Sequence, residues 1–280
     1  MSGEFDSILS NIRNGGREPF FSLDGAALFN DDCLGVLPLI SENSIDMIFA
    51  DPPYLLSNNG ITCQSGKMVS VNKGKWDRSR GVEEDTLFNE EWIRACRRVL
   101  KPEGTIWISG TYHNIYQCGY LLQKIGFHLL NDIAWFKPNA APNLSCRCFT
   151  ASHETLLWAR KDKKSRHVFN YDDMKNGLFP EDKLKKENTQ MRSVWSIPAP
   201  KNAEKEFGKH PTQKPLDLLL RVIRASTVDG AVIVDPFNGG GTTGAAALAL
   251  GNRYYIGMET DRAYCEMTEK RLLYYRKKRV

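Results

Sequence analysis

Residues 231–244 read AVIVDPFNGGGTTG, an apolar run that leads through three glycines into a second, alanine-rich segment. Consecutive apolar residues are typical of a strand that is buried on both faces of a parallel sheet. Gly239, Gly241 and Gly244 match the G-x-G-x-x-G fingerprint of nucleotide-binding strand–turn–helix units. Glycines let the backbone approach a ligand closely, and the start of a helix follows them. The stretch therefore predicts an α/β fold with a nucleotide-type ligand at this turn.

A carboxylate follows the next apolar run of the chain. The stretch YYIGMETD places Glu259 at the end of a predicted strand, where it can accept hydrogen bonds from both hydroxyls of a ribose. NAD is the obvious rival ligand, but Asp235-Pro236-Phe237 separates the strand from the glycines, and no residue set for hydride transfer is evident. The glycines are not followed by Lys-Ser or Lys-Thr, which argues against a phosphate-binding P-loop. Another nucleoside-containing ligand is therefore favoured over NAD and over a bare turn.

Short apolar runs alternate with helix-like segments along most of the chain. This alternation predicts a doubly wound α/β domain with a mostly parallel sheet of seven strands. The predicted strands are Ala26–Phe29, Ile45–Ala50, Thr105–Ser109, Asp132–Phe136, Thr155–Ala159, Ala231–Val234 and Tyr254–Met258. The predicted helices are Phe88–Leu100, Ile115–Ile125, Pro215–Thr227, Thr243–Leu250 and Ala263–Lys277.

The composition is that of a cytoplasmic globular protein. Of the 280 residues 41% are hydrophobic and 25% are charged, and no run approaches the roughly 20 apolar residues of a membrane span. The N-terminus lacks the pattern of a secretion signal, and seven irregularly spaced cysteines fit reduced thiols better than disulfides. Cys146 and Cys148 are the only close pair of cysteines, so we expect no metal site. The net charge of +5 is compatible with a polyanionic partner without establishing one.

A second motif carries two hydrogen-bond acceptors and an aromatic ring. Residues 49–58 read FADPPYLLSN, so that a predicted strand ends in Asp51-Pro52-Pro53-Tyr54. An amino group on an aromatic base is a poor nucleophile, because its lone pair is delocalised into the ring. Two acceptors placed out of the plane favour a pyramidal nitrogen, and the Asp51 carboxylate and the rigidly held Pro52 carbonyl provide them. Tyr54 offers a face on which a base can stack. Binding of such an amine explains the four residue types better than a strand–turn does.

The two motifs together resemble the β class of DNA amino-methyltransferases that use S-adenosylmethionine. In that class a D-P-P-Y motif such as 51–54 precedes a glycine motif such as 235–241. The segments 210–215 (HPTQKP) and 30–33 (NDDC) are further matches, and the resemblance runs from about residue 26 to the C-terminus. It implies a Rossmann-like methyltransferase fold with a circularly permuted order of motifs. Gly240 departs from the pattern, since many relatives carry a larger residue there, but this removes no expected contact.

The resemblance also implies which residues form the site. The catalytic, base-binding residues would be Asp51, Pro52, Pro53 and Tyr54. The cofactor-binding residues would be Asp32, Cys33, Asp51, Thr212, Lys214, Asp235, Phe237, Asn238, Gly239, Gly241, Thr242, Thr243 and Glu259. Aspartate at the first position of the tetrad favours adenine N6 as the acceptor, since serine is commoner in cytosine-N4 enzymes. No Pro-Cys nucleophile is present, so covalent attack on a cytosine ring is not supported.

Basic and polar loops are expected to bind DNA. A base must leave the duplex, or come from a single strand, before it can enter such a site. The expected DNA-binding residues are Lys67, Lys73, Lys75, Trp76, Arg78, Asn143, Arg147 and Arg192. We expect an N-terminal extension (1–25), a catalytic part (26–160), an inserted target-recognition region (161–208) and a cofactor-binding part (209–280). The pair His153-Glu154 is interpreted as structural.

The resulting hypothesis is a site-specific DNA adenine-N6 methyltransferase that converts S-adenosylmethionine to S-adenosylhomocysteine. A cytosine-N4 methyltransferase and a catalytically silent DNA-binding module of the same fold are the alternatives. A homodimer and a cognate restriction endonuclease are left open as partners, and no membrane partner is expected. The segments 169–171 and 192–195 resemble those of enzymes for short palindromes such as GANTC or GATC. The hypothesis requires that Asp51 and the glycine loop share one crevice.

Overall fold

A computed structural model of the chain describes residues 2–54, 61–64, 67–70, 77–144, 147–175, 186 and 189–278, with only the backbone for 61–64 and 67–70. The helices are α1 (Ser2–Asn14), α2 (Cys33–Val36), α3 (Val82–Val99), α4 (Ile115–Ile125), α5 (Leu216–Ser226), α6 (Thr242–Leu250) and α7 (Arg262–Lys277). The strands are β1 (Phe21–Leu23), β2 (Ala26–Phe29), β3 (Ile45–Ala50), β4 (Ile61–Gln64), β5 (Lys67–Ser70), β6 (Leu100–Gly110), β7 (His128–Phe136), β8 (His153–Arg160), β9 (Val194–Ser196), β10 (Val232–Asp235) and β11 (Tyr254–Met258). Within the described residues, no helix is long and apolar enough to cross a membrane.

Nine of the strands in the described residues form one sheet, in the order β1-β2-β11-β10-β3-β6-β8-β7-β9. Every neighbouring pair from β2 to β6 is parallel, whereas β8 runs antiparallel to both of its neighbours. The remaining two strands, β4 and β5, form a separate hairpin. The chain therefore leaves the centre of the sheet after β3 and returns to the centre with β10.

The structure confirms the α/β class and all seven predicted strands, and it adds two strands to the sheet. The additional strands, β1 and β9, have three residues each, which is too short to leave a periodic apolar signal. The five predicted helices are present as α3 to α7, although α3 begins at Val82 instead of Phe88. Its first turn carries Glu83, Glu84 and Asp85, which favour a helix N-terminus electrostatically.

Helices cover both faces of the sheet. One core cluster contains Trp92 of α3 and Leu121 of α4, and the other contains Leu219 of α5 and Leu272 of α7. The side chains of β3 alternate between the two clusters, with Ile48 in the first and Phe49 in the second. A strand between two helical layers must be apolar on consecutive positions, which is why β3 and β10 are recognisable in the sequence as continuous apolar runs.

The N-terminal helix α1 belongs to the packed core. Its apolar residues recur at helical spacing, and the side chains of Phe5, Ile8, Leu9 and Ile12 are buried in the first cluster. The ring of Phe5 stacks on that of Tyr254, with 4.9 Å between the ring centroids. The helix was not among the sequence predictions, although its apolar spacing was a usable signal.

The described parts of the segment 161–208 are anchored to the second face. Trp195 of β9 is buried, and the guanidinium of Arg221 lies 4.0 Å from the centroid of its ring. The side-chain amide of Asn170 donates to the carbonyl oxygens of Arg224 and Thr227, which satisfies acceptors left open at the end of α5. The segment therefore supports the main sheet in addition to carrying polar surface.

Replacing Ile12 by alanine is expected to destabilise the protein, because this side chain is fully buried in the first core cluster. Truncation of a buried isoleucine costs about 2–5 kcal/mol in free energy of unfolding. Urea unfolding followed by tryptophan fluorescence measures this quantity. Ser10→Ala, on the exposed side of the same helix, is the control and should change it by less than about 0.5 kcal/mol. Equal stability of the two variants would contradict the packing of α1.

Candidate active site

The carboxyl ends of β3 and β10 lie side by side near the middle of the sheet. The two strands pair in parallel, with Ile233 opposite Met47 and Val234 opposite Ile48. Asp51 directly follows β3, and the glycine segment follows β10. Ligands of open α/β sheets bind in such a crevice beyond the carboxyl ends of the strands. Two segments that are far apart in the chain therefore meet at one cavity.

Nearly all of the predicted catalytic and cofactor-binding residues line this cavity. Those that line it are Asp32, Cys33, Asp51, Pro52, Pro53, Tyr54, Thr212, Lys214, Asp235, Phe237, Asn238, Gly239, Thr242, Thr243 and Glu259. Gly241 is not in the lining and forms the turn behind it. The lining residues that the sequence analysis did not place in the site are Asp31, Phe49, Arg80, Phe88, His210, Gln213, Pro236, Gly240, Met258 and Thr260.

The glycine loop is held by hydrogen bonds on both of its sides. Gly239 and Gly241 have positive φ angles of 51° and 72°, which favour glycine sterically. The carboxylate of Asp235 accepts from the backbone N–H of Phe237 at 3.0 Å and from the hydroxyl of Thr243 at 2.5 Å. From behind, the buried guanidinium of Arg271 donates to the carbonyl oxygen of Gly240. The loop is therefore a rigid element of the cavity wall.

Phe237 forms an apolar wall of the cavity. Its ring meets Trp92 edge-on at 5.2 Å and Phe88 at 6.3 Å between ring centroids, both on α3. Trp92 is fully buried, and its indole N–H donates to the side-chain oxygen of Asn89 at 2.9 Å. The position of Phe237 is thus set by α3 and not by the glycine loop alone.

Glu259 connects the end of β11 to the glycine loop. One carboxylate oxygen accepts from the backbone N–H of Gly239 at 2.7 Å, and the other accepts from that of Asp261 at 2.8 Å. Burial raises the pKa of Glu259 to about 7, because these two hydrogen bonds only partly offset the loss of hydration. Asp235 shows the same effect, and its pKa is also raised to about 7 by burial. The pKa values of both carboxyl groups therefore lie near neutral pH.

Asp51 is paired with a buried lysine. The ammonium of Lys214 lies 2.5 Å from one oxygen of Asp51, and the side chain of Lys214 is 5% exposed. Burial raises the pKa of Asp51 and the nearby Glu154 carboxylate raises it further, while the Lys214 ammonium opposes both. Burial lowers the pKa of Lys214, but the two carboxylates outweigh this and raise it above its ordinary value. Lys214 therefore stays charged beside the tetrad.

Two buried polar side chains from neighbouring strands complete the surroundings of Tyr54. Its hydroxyl lies 2.6 Å from Asp51 and 2.9 Å from a carboxylate oxygen of Glu154 on β8. The hydroxyl of Ser109 on β6 lies 3.3 Å away. The side-chain amide of Asn114 donates to the carbonyl oxygen of Pro53 at 3.2 Å and holds the tetrad from the other side. The tetrad is therefore fixed by residues of β6, β8 and the entry to α4.

The expected DNA-binding residues lie outside the cavity lining where the structure describes them. Arg78 and Arg147 are exposed, and the amide of Asn143 donates to the sulfur of Cys148. Arg192 is exposed and precedes β9 at the outer edge of the sheet. The side chains of Lys67, Lys73, Lys75 and Trp76 lie outside the described residues.

Glu154 is the main residue that sequence reasoning left out of the site. It lies in an ordinary apolar strand, and the antiparallel pairing of β8 with β6, which sets Thr155 opposite Gly110, brings it to the tetrad. Its partner in the sequence, His153, is exposed. Gln213 could have been found, because it lies inside the HPTQKP segment that contributes three other lining residues, His210, Thr212 and Lys214. Among the described residues, no group of acidic, histidine and cysteine side chains could hold a metal ion.

The sheet is Rossmann-like, and the glycine loop and the Asp51–Tyr54 tetrad line one cavity at its carboxyl edge. A family model described as DNA methylase matches residues 45–270, and the chain belongs to this family. It is similar to Type II methyltransferase M2.DpnII of Streptococcus pneumoniae, with 50% identity over 256 residues that cover 91% of this chain and 92% of the relative. Type II methyltransferase M2.MboI of Moraxella bovis is 46% identical over 258 residues, which cover 91% and 90%.

Solved structures have the same fold. The SAM complex of M1.HpyAVI has a TM-score of 0.64 and 26% identity, and the match covers 88% of this chain and 98% of that one. The PvuII DNA methyltransferase, which is described as cytosine-N4-specific, has a TM-score of 0.68, 18% identity and coverages of 94% and 95%. At that identity the second likeness shows the fold alone. The predicted fold, family and enzyme class are confirmed, and the protein is a DNA methyltransferase.

The two adjacent glycines of the loop are expected to respond differently to alanine. At Gly241 the φ angle is +72° and an added Cβ would lie 2.6 Å from the buried side chain of Thr268. At Gly240 an added Cβ would first meet the flexible end of Met267 at 3.2 Å, without a positive φ angle. Gly241→Ala should therefore lower the free energy of unfolding by about 1–3 kcal/mol, whereas Gly240→Ala should change it by less than about 1 kcal/mol. Differential scanning calorimetry of the two variants compares them, and equal losses would contradict the loop geometry.

Proposed function

We propose that the protein transfers a methyl group from S-adenosylmethionine directly to the exocyclic N6 of adenine in a short DNA sequence. The main support for this proposal is the shared cavity, in which Asp51 and the glycine loop meet at the ends of two paired strands. The family supports DNA as the substrate and an amino group as the acceptor. The transfer needs no covalent enzyme intermediate, because both reactants can lie in one crevice.

The cavity residues fit the proposed cofactor. When bound, S-adenosylmethionine supplies an electrophilic methyl group on a positively charged sulfonium. Glu259 can accept hydrogen bonds from the ribose hydroxyls, and Phe237 provides an apolar surface for a ring. The side-chain oxygen of Gln213 is buried and has no hydrogen-bond partner among the described residues, so it can accept from an ammonium group. Asp235 adds negative charge in its ionised form, which favours a cationic ligand.

The tetrad supplies the groups that an aromatic amine needs. Asp51 accepts one N–H through its carboxylate, and Pro52 accepts the other through its backbone carbonyl. The ring of Tyr54 is buried, with the Lys214 ammonium 5.0 Å from its centroid, and it offers the stacking face. Two out-of-plane acceptors turn the nitrogen lone pair toward the methyl group. Asp51 then receives the proton that the methylated nitrogen loses.

Adenine is the proposed acceptor because aspartate occupies the first position of the tetrad. Cytosine N4 is the alternative, and the likeness to the cytosine-N4-specific PvuII enzyme supports only the common fold. Nucleoside analysis of methylated DNA distinguishes N6-methyladenine from N4-methylcytosine. The catalytically silent alternative would bind the cofactor without turnover.

We also propose how the protein engages DNA. The target base is flipped out of the duplex, or taken from a single strand, since a base that is stacked inside a duplex cannot reach such a crevice. The basic segment 67–80 is proposed to contact phosphates and the segment 161–208 to read the target sequence. Arg80, the last residue of this basic segment, is exposed and lines the cavity. Residues 26–160 and 209–280 would form the catalytic and cofactor-binding parts, with 1–25 as an N-terminal extension.

The family relationship also supports a proposed cellular setting. The relatives M2.DpnII and M2.MboI are named as Type II methyltransferases. These names support a cytoplasmic methyltransferase that protects DNA from a cognate restriction endonuclease. A homodimer is compatible with the same role. Digestion of host DNA by the candidate endonuclease, with and without the methyltransferase gene, tests the first point, and light scattering tests the second.

Asp51→Ala is expected to abolish methyl transfer, because the target amine then lacks one of its two N–H acceptors and the group that receives its proton. The measurement uses tritiated cofactor and DNA of mixed sequence, followed by nucleoside analysis. The control is Asp6→Ala, an exposed aspartate on α1, which should retain the wild-type rate. Calorimetry should show that Asp51→Ala still binds the cofactor. Absence of label in any DNA with the wild-type protein would count decisively against the proposed function.

Cofactor affinity is expected to fall as the pH is lowered through 7. Glu259 has a pKa raised to about 7 by burial, and its ionised form is the one that accepts hydrogen bonds from both ribose hydroxyls. Affinity should be full above this pH and fall by up to about tenfold for each pH unit below it. Isothermal titration calorimetry between pH 5.5 and about 8.5 measures the trend. Glu259→Gln should bind more weakly with a flatter profile, and an unchanged profile in this variant would exclude Glu259 as the titrating group.

A further inference from the structure

The hydroxyl of Tyr54 lies between two carboxylates. Its oxygen is 2.6 Å from Asp51 Oδ1 and 2.9 Å from Glu154 Oε2. A phenol has one O–H and donates to one carboxylate at a time. The single proton of the Tyr54 hydroxyl therefore has two competing carboxylate acceptors.

Both oxygens of Asp51 are occupied in this arrangement. Oδ2 is paired with the ammonium of Lys214 at 2.5 Å, and Oδ1 accepts from Tyr54 at 2.6 Å. An entering amino group needs one of these oxygens as its own acceptor. A hydroxyl that simply left Asp51 without another partner would be buried and unsatisfied, which costs about 1–3 kcal/mol. A second acceptor within reach of Tyr54 removes this cost.

Glu154 has the properties of such an acceptor. Its Oε1 accepts from the ammonium of Lys137 at 2.8 Å, and its Oε2 lies 3.5 Å from that of Lys214. Burial alone would raise the pKa of Glu154, but the two ammonium groups outweigh it and lower the pKa to about 2. The carboxylate therefore stays ionised near neutral pH. It can accept a hydrogen bond from Tyr54 but does not keep a proton.

We propose that Glu154 is a positioning residue that takes the hydrogen bond of the Tyr54 hydroxyl away from Asp51 when the amino group of the target base enters. Asp51 Oδ1 is then free to accept the N–H of the base, while Tyr54 keeps its proton and its stacking position. Glu154 also shares the Lys214 ammonium with Asp51 across the same gap. The inference rests on the proposed function, because it assumes that Asp51 binds the amino group.

A purely structural glutamate would not require this geometry. The ion pairs of Glu154 with Lys137 and Lys214 could hold β8 in place without any contact to Tyr54. Glu90 on α3 shows such a case, since it bridges Arg94 at 2.6 Å and Lys124 at 2.7 Å at the protein surface. The short distance from Glu154 to the Tyr54 hydroxyl distinguishes the two glutamates.

A double-mutant cycle with Glu154→Gln and Tyr54→Phe tests the proposal. Glu154→Gln removes the charged acceptor and should lower kcat by about tenfold or more, with KM for S-adenosylmethionine changed by less than about threefold. In the Tyr54→Phe background there is no hydroxyl to move from Asp51. The same Glu154→Gln change should then alter the residual kcat by less than about twofold. Such dependence on one oxygen atom is not expected from a structural ion pair.

Two further variants guard against a folding artefact. Glu90→Gln removes a carboxylate that also bridges two cations, and it should leave kcat unchanged. Glu154→Asp keeps the charge but withdraws the carboxylate by one methylene, so it should show the same pattern with a smaller loss. If Glu154→Gln does not give folded protein by circular dichroism, the cycle is measured with Glu154→Asp instead.

The outcomes separate this inference from the proposed function. A wild-type kcat for Glu154→Gln, or losses that multiply independently in the double variant, would overturn the role of Glu154 while leaving DNA amino-methylation intact. A wild-type protein that labels no DNA amino group would overturn both. A loss that depends on the Tyr54 hydroxyl, together with inactive Asp51→Ala, supports both.

Discussion

The parallel pairing of β3 with β10 is the constraint on which the rest of the site depends. The backbones of neighbouring strands lie about 4.8 Å apart, so groups that follow the two strands share a crevice. Asp51 and the glycine loop are brought together in this way, although most of the chain separates them. The surrounding helices support the same arrangement, because helices on both faces leave the carboxyl edge of the sheet as the open side. A methyl donor and an acceptor base can therefore meet without a large movement of the protein.

Charge balance is the second constraint at this edge of the sheet. Asp51 and Glu154 share the Lys214 ammonium, and Glu154 has Lys137 as a second partner. A buried carboxylate without such partners would lose hydration with little compensation, and its pKa would rise until it was neutral. Glu259 and Asp235, which lack a nearby ammonium in the described residues, show this rise to about 7. Glu154 and Lys214 thus stay charged beside the tetrad, while Glu259 and Asp235 on the glycine-loop side of the cavity respond to pH.

Much of the fold could be predicted because its strands are buried on both faces. Such strands appear as continuous apolar runs, and every predicted strand is present. The strands β1 and β9 could not be predicted, because three residues are too few to show an alternation of apolar and polar side chains. Each of them forms only by pairing with an adjacent strand of the folded sheet. Helix α1 did carry an apolar period, with Phe5, Ile8 and Ile12 on one side. Helix α1 was therefore predictable from the sequence.

The sequence by itself determined the two motifs and their order. Each motif is a contiguous segment, Asp51 to Tyr54 or the glycine loop, so its chemistry can be predicted from its residue types. It thereby determined the family and the composition of most of the cavity wall. Only the tertiary structure decided which acceptor stands opposite the Tyr54 hydroxyl. Glu154 reaches that position through the antiparallel pairing of β8 with β6, a long-range contact between backbone groups that leaves no local pattern in the chain.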